Sequence, residues 1–340
     1  MRGVLFLSLL FAAGISFSQK IQIDHRASEQ RAVVTSGGKP FTSFYYPGPD
    51  RIKKPVLYPV YSPGGKLVTR GWPLDPREGE RVDHPHHIGI WFNYEDINGN
   101  DFWNNSIQVN RPEKRFGTIL NTRVVRVKSG NIGELVSESD WVDHSGKQLI
   151  QDRTTMQFSE KDGVYLIDYS VTLNATEDAS FRDVKDGMFA FRLARELELK
   201  YDKPETLTDE NGVAMQEKTV SNGRVSGSYT NKEGARDDAV WGKSSVWCAM
   251  TGTINGEAVT VAIMDHPSNF GYPGYWHARG YGLFALNSVA RQAYVKDSEP
   301  LNLRVLKGQS VTFRYRVAIG SKKLSAEQLN TLASEFARGR

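Results

Sequence analysis

The chain has 340 residues, 39% hydrophobic and 11% aromatic, with 43 Lys and Arg against 39 Asp and Glu for a formal charge of +4. That mixture excludes a disordered, collagenous or coiled-coil chain, and the basic residues are too scattered for the concentrated face that nucleic-acid binding needs. A single cysteine, Cys248, excludes any intrachain disulfide.

The first segment predicts an export signal. Arg2 precedes an apolar run from Val4 to Phe17, and Ser16 and Ser18 put small residues where a signal peptidase cuts, before Gln19. Residues 1–18 are therefore expected to be removed, leaving 19–340 as one domain exported to a bacterial periplasm or envelope. No later run is long and apolar enough to keep the mature chain inserted in a membrane.

Beyond Gln19 the sequence has the two-residue alternation of strands, punctuated by Gly, Asn, Asp and Pro. Ile21, Ile23, Val33 and Val34 open it, and strand runs follow at 41–46, 56–61 and 88–94. Others lie at 118–127, 134–141, 149–158, 164–173, 188–193, 245–253, 258–264, 301–306 and 311–319. Asp162-Gly163 and Asn255-Gly256 favour tight hairpins, whereas the polar stretch 202–238 predicts a surface excursion. Only the C-terminus predicts a helix, with Ser325 and Gln328 as a capping pair and Leu329, Leu332, Ala333 and Phe336 as one apolar stripe. The expected fold is all-β: two large antiparallel sheets packed as a sandwich, with a short C-terminal helix.

Three of the seven histidines fall in Asp83-His84-Pro85-His86-His87, just before the strand at 88–94. On an extended rim they could bind a metal through Asp83, His84 and His86, exchange protons near neutral pH, or simply bond to loop backbone. Strand geometry sends adjacent His86 and His87 to opposite faces, so His84 and His86 are expected to converge without His87. Trp91 shares a face with His87, and Phe102-Trp103 predicts an aromatic lid over core or ligand. Asp96 to Asp101 imitates the start of a calcium loop, but Asp101 and Ile107 stand where Gly and Glu are required, so a turn at Asn98-Gly99 is expected instead. Arg192 alternates with Ala190 and Met188, as a pocket wall would. Trp276, His277, Arg279 and Tyr281 fall in a Gly-punctuated segment expected to be a loop that stacks and hydrogen-bonds a sugar.

Asp83 to Phe92, with Asn98-Gly99 and Phe102-Trp103 after it, resembles the PmoA-like family of exported bacterial proteins. Gly187 to Arg192, Trp276 to Phe284, and the segment from Phe41 to Pro59 match later and earlier signatures of that family, although Leu286-Asn287-Ser288-Val289 lacks the Gly expected beyond the Asn. The resemblance implies a β-sandwich similar to the galactose-mutarotase supersandwich, in the company of sugar-processing enzymes.

The leading expectation is an exported enzyme acting on a sugar or keto-glycoside as an epimerase, lyase or hydrolase. His84, His86 or His87 would exchange the proton, with His277 opposite, while Arg192 or Arg279 holds the developing negative oxygen. Trp91, Trp103, Trp276 and Tyr281 would supply the binding surface. No cofactor is expected, though a divalent or transition metal fits the histidines. The alternatives are a non-catalytic glycan-binding protein and a metal-dependent oxygenase, the latter named by the family label.

Overall fold

A computed structural model describes residues 20–339; the expected signal segment, residues 1–18, and its cleavage point lie outside them. Eighteen strands and one α-helix follow in chain order. They are β1 (Ile21–Arg26), β2 (Arg31–Ser36), β3 (Lys39–Tyr45), β4 (Val56–Val60), β5 (Ile90–Tyr94) and β6 (Thr118–Lys128). Next come β7 (Gly133–Val142), β8 (Gln148–Lys161), β9 (Val164–Ala175), β10 (Ala179–Phe181), β11 (Gly187–Arg192) and β12 (Ser228–Asn231). The last are β13 (Trp247–Ile254), β14 (Glu257–Asp265), β15 (Tyr275–Ala278), β16 (Leu283–Asn287), β17 (Leu303–Val305), β18 (Ser310–Gly320) and α1 (Ala326–Ala337).

Two eight-stranded sheets form, ordered β1-β2-β3-β4-β5-β11-β16-β15 and β12-β13-β14-β18-β9-β8-β7-β6, with β10 and β17 paired apart. Every named strand pair is antiparallel. The all-β sandwich expectation holds. Its principal core lies where the alternating residues face inward: Phe92 of β5, Phe189 and Phe191 of β11, and Phe284 and Leu286 of β16 pack with Phe313 and Tyr315 of β18. The tight turns behave as their residues dictate, with Asp162-Gly163 at φ 51° and 72° and Asn255-Gly256 at 48° and 80°. Helix α1 begins in the predicted capping box between Ser325 and Gln328. It lays Leu329, Leu332, Ala333 and Phe336 on the outer face of the second sheet, against Leu166, Ala249 and Ala318.

Among the described residues no α-helix covers the outer face of the first sheet. Loops cover it, and Ile52, Ile88, Trp91, Trp103, Ala190, Leu283 and Ala285 make a smaller apolar cluster there. The segment expected to be a Gly-punctuated loop is largely strand. β15 and β16 form a hairpin around residues 279–282, because alternation survives across the turn even though glycines interrupt the run. Among the described residues no helix is long and apolar enough to cross a membrane.

Candidate functional site

Register on the first sheet decides which predicted residues meet. Trp91 pairs with Ala190, Ala190 with Ala285, and Ala285 with His277, so one row of side chains crosses β5, β11, β16 and β15 on the outer face. Three strand spacings of roughly 4.8 Å put His277 about 14 Å from Trp91 across the sheet. His277 therefore does not stand opposite the other histidines. Its Nδ1 lies 3.3 Å from Asp186 Oδ1, and burial drives its pKa down to about 4 against the pull of Asp186.

Asp83 to His87 is a turn rather than a strand entrance. His84 takes φ 43° and its carbonyl accepts the His87 N–H at 2.9 Å, which folds the segment back on itself. The opposite-face argument fails for that reason, and all three rings come together. Their centroids lie 4.8 Å apart for His84 and His87, 4.3 Å for His86 and His87, and 5.7 Å for His84 and His86.

Two buried arginines hold the turn. Arg70 donates to the carbonyls of Arg81, Asp83, His84 and His87, and its Nη1 reaches Asp83 Oδ1 at 2.5 Å. Arg192 Nη2 reaches the same oxygen at 2.6 Å. Burial alone would raise the Asp83 carboxyl, but Arg192, His84 and Arg70 hold it well below the usual carboxylate range. Beyond Arg192, Glu198 binds Arg81 Nε at 2.6 Å and Arg195 Nη1 at 2.5 Å, and Glu205 bridges the same two arginines.

Each histidine has a different environment. His84 Nδ1 is 3.0 Å from Asp83 Oδ2, bent away from a good hydrogen bond, and its side chain is 40% exposed. Tyr281 stacks on His84 at 4.8 Å; burial pushes its hydroxyl up to about 12. His87 is sealed between Trp91 and Trp103. Arg192 Nη1 approaches its Nδ1 at 3.4 Å; a guanidinium only donates, so Nδ1 accepts and the neutral ring carries its proton on the unpartnered Nε2. His86 is 7% exposed and neither ring nitrogen has a partner. Burial, with Lys54 and His84 beside it, keeps its pKa well below the ordinary imidazole value.

His86 borders a cleft of about 190 Å³ between the loops around residues 51–56, 73–74, 85–88 and 105–108. Lys54 shares that wall, and its Nζ donates to the His86 carbonyl at 2.6 Å. Burial lowers the Lys54 ammonium to about 7, although Asp101 acts in the opposite sense. Sequence reasoning missed this lysine. The signal was the apolar pair Ile52 and Val56, two residues either side of Lys54; the structure buries all three and leaves Lys53 and Pro55 less covered. Nothing comparable marks Arg70 or Glu198.

The expected stacking surface is not displayed. Trp276 points to the inter-sheet core, stacks on Phe284 and donates to the Ser245 carbonyl, because its register parity is opposite to that of His277. Trp91 and Trp103 adjoin the histidines but are each 1% exposed. Arg192 is fully buried on Asp83, whereas Arg279 is exposed above Trp241. Among the described residues no three His, Cys, Asp or Glu side chains are arranged to hold a metal; of the candidates Asp83, His84 and His86, the first spends one oxygen on two guanidiniums.

Two solved structures are among those with some similarity to this chain. The galactosidase domain of the alpha-galactosidase-sucrose kinase AgaSK is 11% identical with a TM-score of 0.37, over 90% of this chain and 42% of that one. The GH36 alpha-galactosidase AgaB from Geobacillus stearothermophilus is 8% identical with a TM-score of 0.36, over 88% of this chain and 40% of that one. The chain thus spans about two fifths of the solved proteins it matches. No curated protein matches it in sequence, and neither the matching family nor the two structures named above carries the methane-oxygenase label. Residues 31–334 match the model of a family of unknown function, DUF6807, and the chain belongs to that family.

Proposed function

We propose that this protein is an exported carbohydrate-processing enzyme working by proton transfer, with the cleft at His86 as its substrate site. The observation that carries the reading is His86, a neutral imidazole with two unpartnered nitrogens on a cleft wall. Leaving a buried polar atom unpaired costs about 1–3 kcal/mol. A neutral ring needs one donor and one acceptor, and a sugar hydroxyl offers both.

Lys54 supplies the proton carrier. A group with a pKa of about 7 is matched to exchange at neutral pH, whereas His86, held well below that, is suited to orienting the ligand. Asp83 and His84 lie beside the site, with Asp83 Oδ2 3.0 Å from His84 Nδ1. The buried tryptophans argue against a flat glycan-binding face of the stacking kind.

The test is exchange of sugar C–H protons in deuterated water, followed by NMR over a panel of monosaccharides and keto-glycosides. His86→Asn and Lys54→Met, checked for folding by circular dichroism, should each lower exchange by at least about 100-fold. Exchange that survives in both variants overturns the assignment, and binding without exchange in the parent protein makes it a glycan-binding protein instead. Recovery of the mature chain starting at Gln19 from the periplasm would support export; retention of residues 1–18 in the cytoplasm would overturn it.

A further inference from the structure

The His86 cleft carries a charge pattern that proton transfer alone does not use. Arg51, Lys53 and Lys54 line it together with His86 and Asn105, and no Asp or Glu lines it among the described residues. The chain as a whole is nearly balanced, 43 basic residues against 39 acidic ones, so three cations without an acid is a local excess. Arg51 and Lys53 form no ion pair among the described residues; the Arg51 guanidinium lies over the Tyr45 ring at 5.9 Å. This contrasts with Arg26, Arg123 and Arg153, exposed arginines that each hold a carboxylate.

Size narrows the ligand further. At about 190 Å³ the cleft lies below the roughly 300 Å³ at which drug-sized pockets begin, so it suits one small molecule rather than a chain of sugar units. The wall asks for two things: a negative charge near Arg51 and Lys53, and a group that both donates to and accepts from His86. Chloride or sulfate, with no proton to donate, meets the first demand only, and a neutral sugar only the second.

Resting on the carbohydrate reading above, we infer that the cleft takes a monosaccharide bearing a carboxylate, with the carboxylate toward Arg51 and Lys53 and a hydroxyl on His86. Arginine and lysine both bind carboxylates through charge-assisted hydrogen bonds. The substrate class is therefore a sugar acid.

Titration calorimetry on the purified protein in 150 mM salt tests this with glucuronate, galacturonate, glucose, galactose, glucose 6-phosphate and acetate. At least one uronate should bind at least tenfold more tightly than its neutral parent. The double variant Arg51→Gln/Lys53→Gln should erase that preference, bringing the uronate down to its neutral parent, and His86→Asn should weaken both. A neutral sugar binding as tightly as its uronate overturns the acid assignment and leaves the carbohydrate reading standing. Tighter binding of glucose 6-phosphate than of either uronate replaces the carboxylate with a phosphate. Acetate binding as tightly as the uronates removes the sugar, and an absence of binding by all six compounds removes both readings.

Discussion

Asp83 carries two guanidiniums on one oxygen, and both arginines are almost wholly buried: Arg70 is 1% exposed and Arg192 fully covered. Each would otherwise repel the other, and Arg192 is among the causes that lower Arg70 to about 9, after burial itself. Replacing Asp83 by Asn keeps the shape but removes the charge between them. Breaking a buried pair costs about 3–5 kcal/mol. Because 27% of the Asp83 side chain is open to solvent, the expected loss lies near the lower figure, about 3 kcal/mol by urea unfolding. A loss below about 0.5 kcal/mol would mean that the two arginines find compensation without it. The same variant removes the carboxylate charge 3.0 Å from His84 Nδ1, so it also tests whether that charge beside the ring matters to turnover.

At the level of elements, the site depends on how a turn joins a strand. Gly89 links the histidine turn to β5 at φ +59°, and a Cβ there would lie 2.2 Å from the Leu57 carbonyl oxygen. Gly89→Ala therefore combines a strained backbone with a clash against β4 and should cost at least about 2 kcal/mol. Near-ultraviolet circular dichroism would also change, since Trp91 and Trp103 pack on His87; an unaltered spectrum and midpoint would show that β4 can move aside. The strands themselves were legible, because Phe189 and Phe191 alternate with Ala190 and Arg192 and the sheet buries each set on its own side. The capping box of α1 was legible for a local reason as well, since both of its partners lie within one turn. The site was only half legible. His84, His86 and His87 announce themselves by type, but their convergence depends on a positive φ at His84 that Pro85 does not reveal. The separation of His277 from them depends on strand order, β5-β11-β16-β15, which joins segments far apart in sequence.

At the scale of the whole molecule, the two outer faces are closed by different means. Helix α1 covers the second sheet with apolar side chains, whereas the first sheet buries imidazoles under its loops, and buried carboxylates lie on both sheets, Asp152 and Asp265 on the second. These opposing groups shape stability against pH. His86 and His87 have folded pKa values well below 6.5, and that of His277 is about 4, so below 6.5 the unfolded chain takes up more protons and acid destabilises the fold. Glu95, Asp152 and Asp265 are raised to about 7, chiefly by burial, so between about 7 and 4 the folded chain holds their protons and acid stabilises it. His266 joins the first set and Asp101 and Glu198 the second, so the two sets oppose each other in that window and the parent protein should change little in stability until about pH 4, where the carboxylates become protonated in both states and their contribution stops changing. A single substitution exposes the hidden slope. His277 faces Asp186, Lys185 and Arg279, and His277→Gln removes its titration while keeping a polar side chain. Between pH 6.5 and 4.5 the variant should gain on the parent by about 2 kcal/mol, less than the full slope of roughly 1.4 kcal/mol for each unit because the ring is half protonated in the unfolded chain at pH 6.5 and begins to protonate in the folded one near pH 4.5. Urea unfolding of both proteins at the two pH values reads the difference directly; parallel profiles would mean that His277 binds its proton in the folded protein as readily as in the unfolded chain.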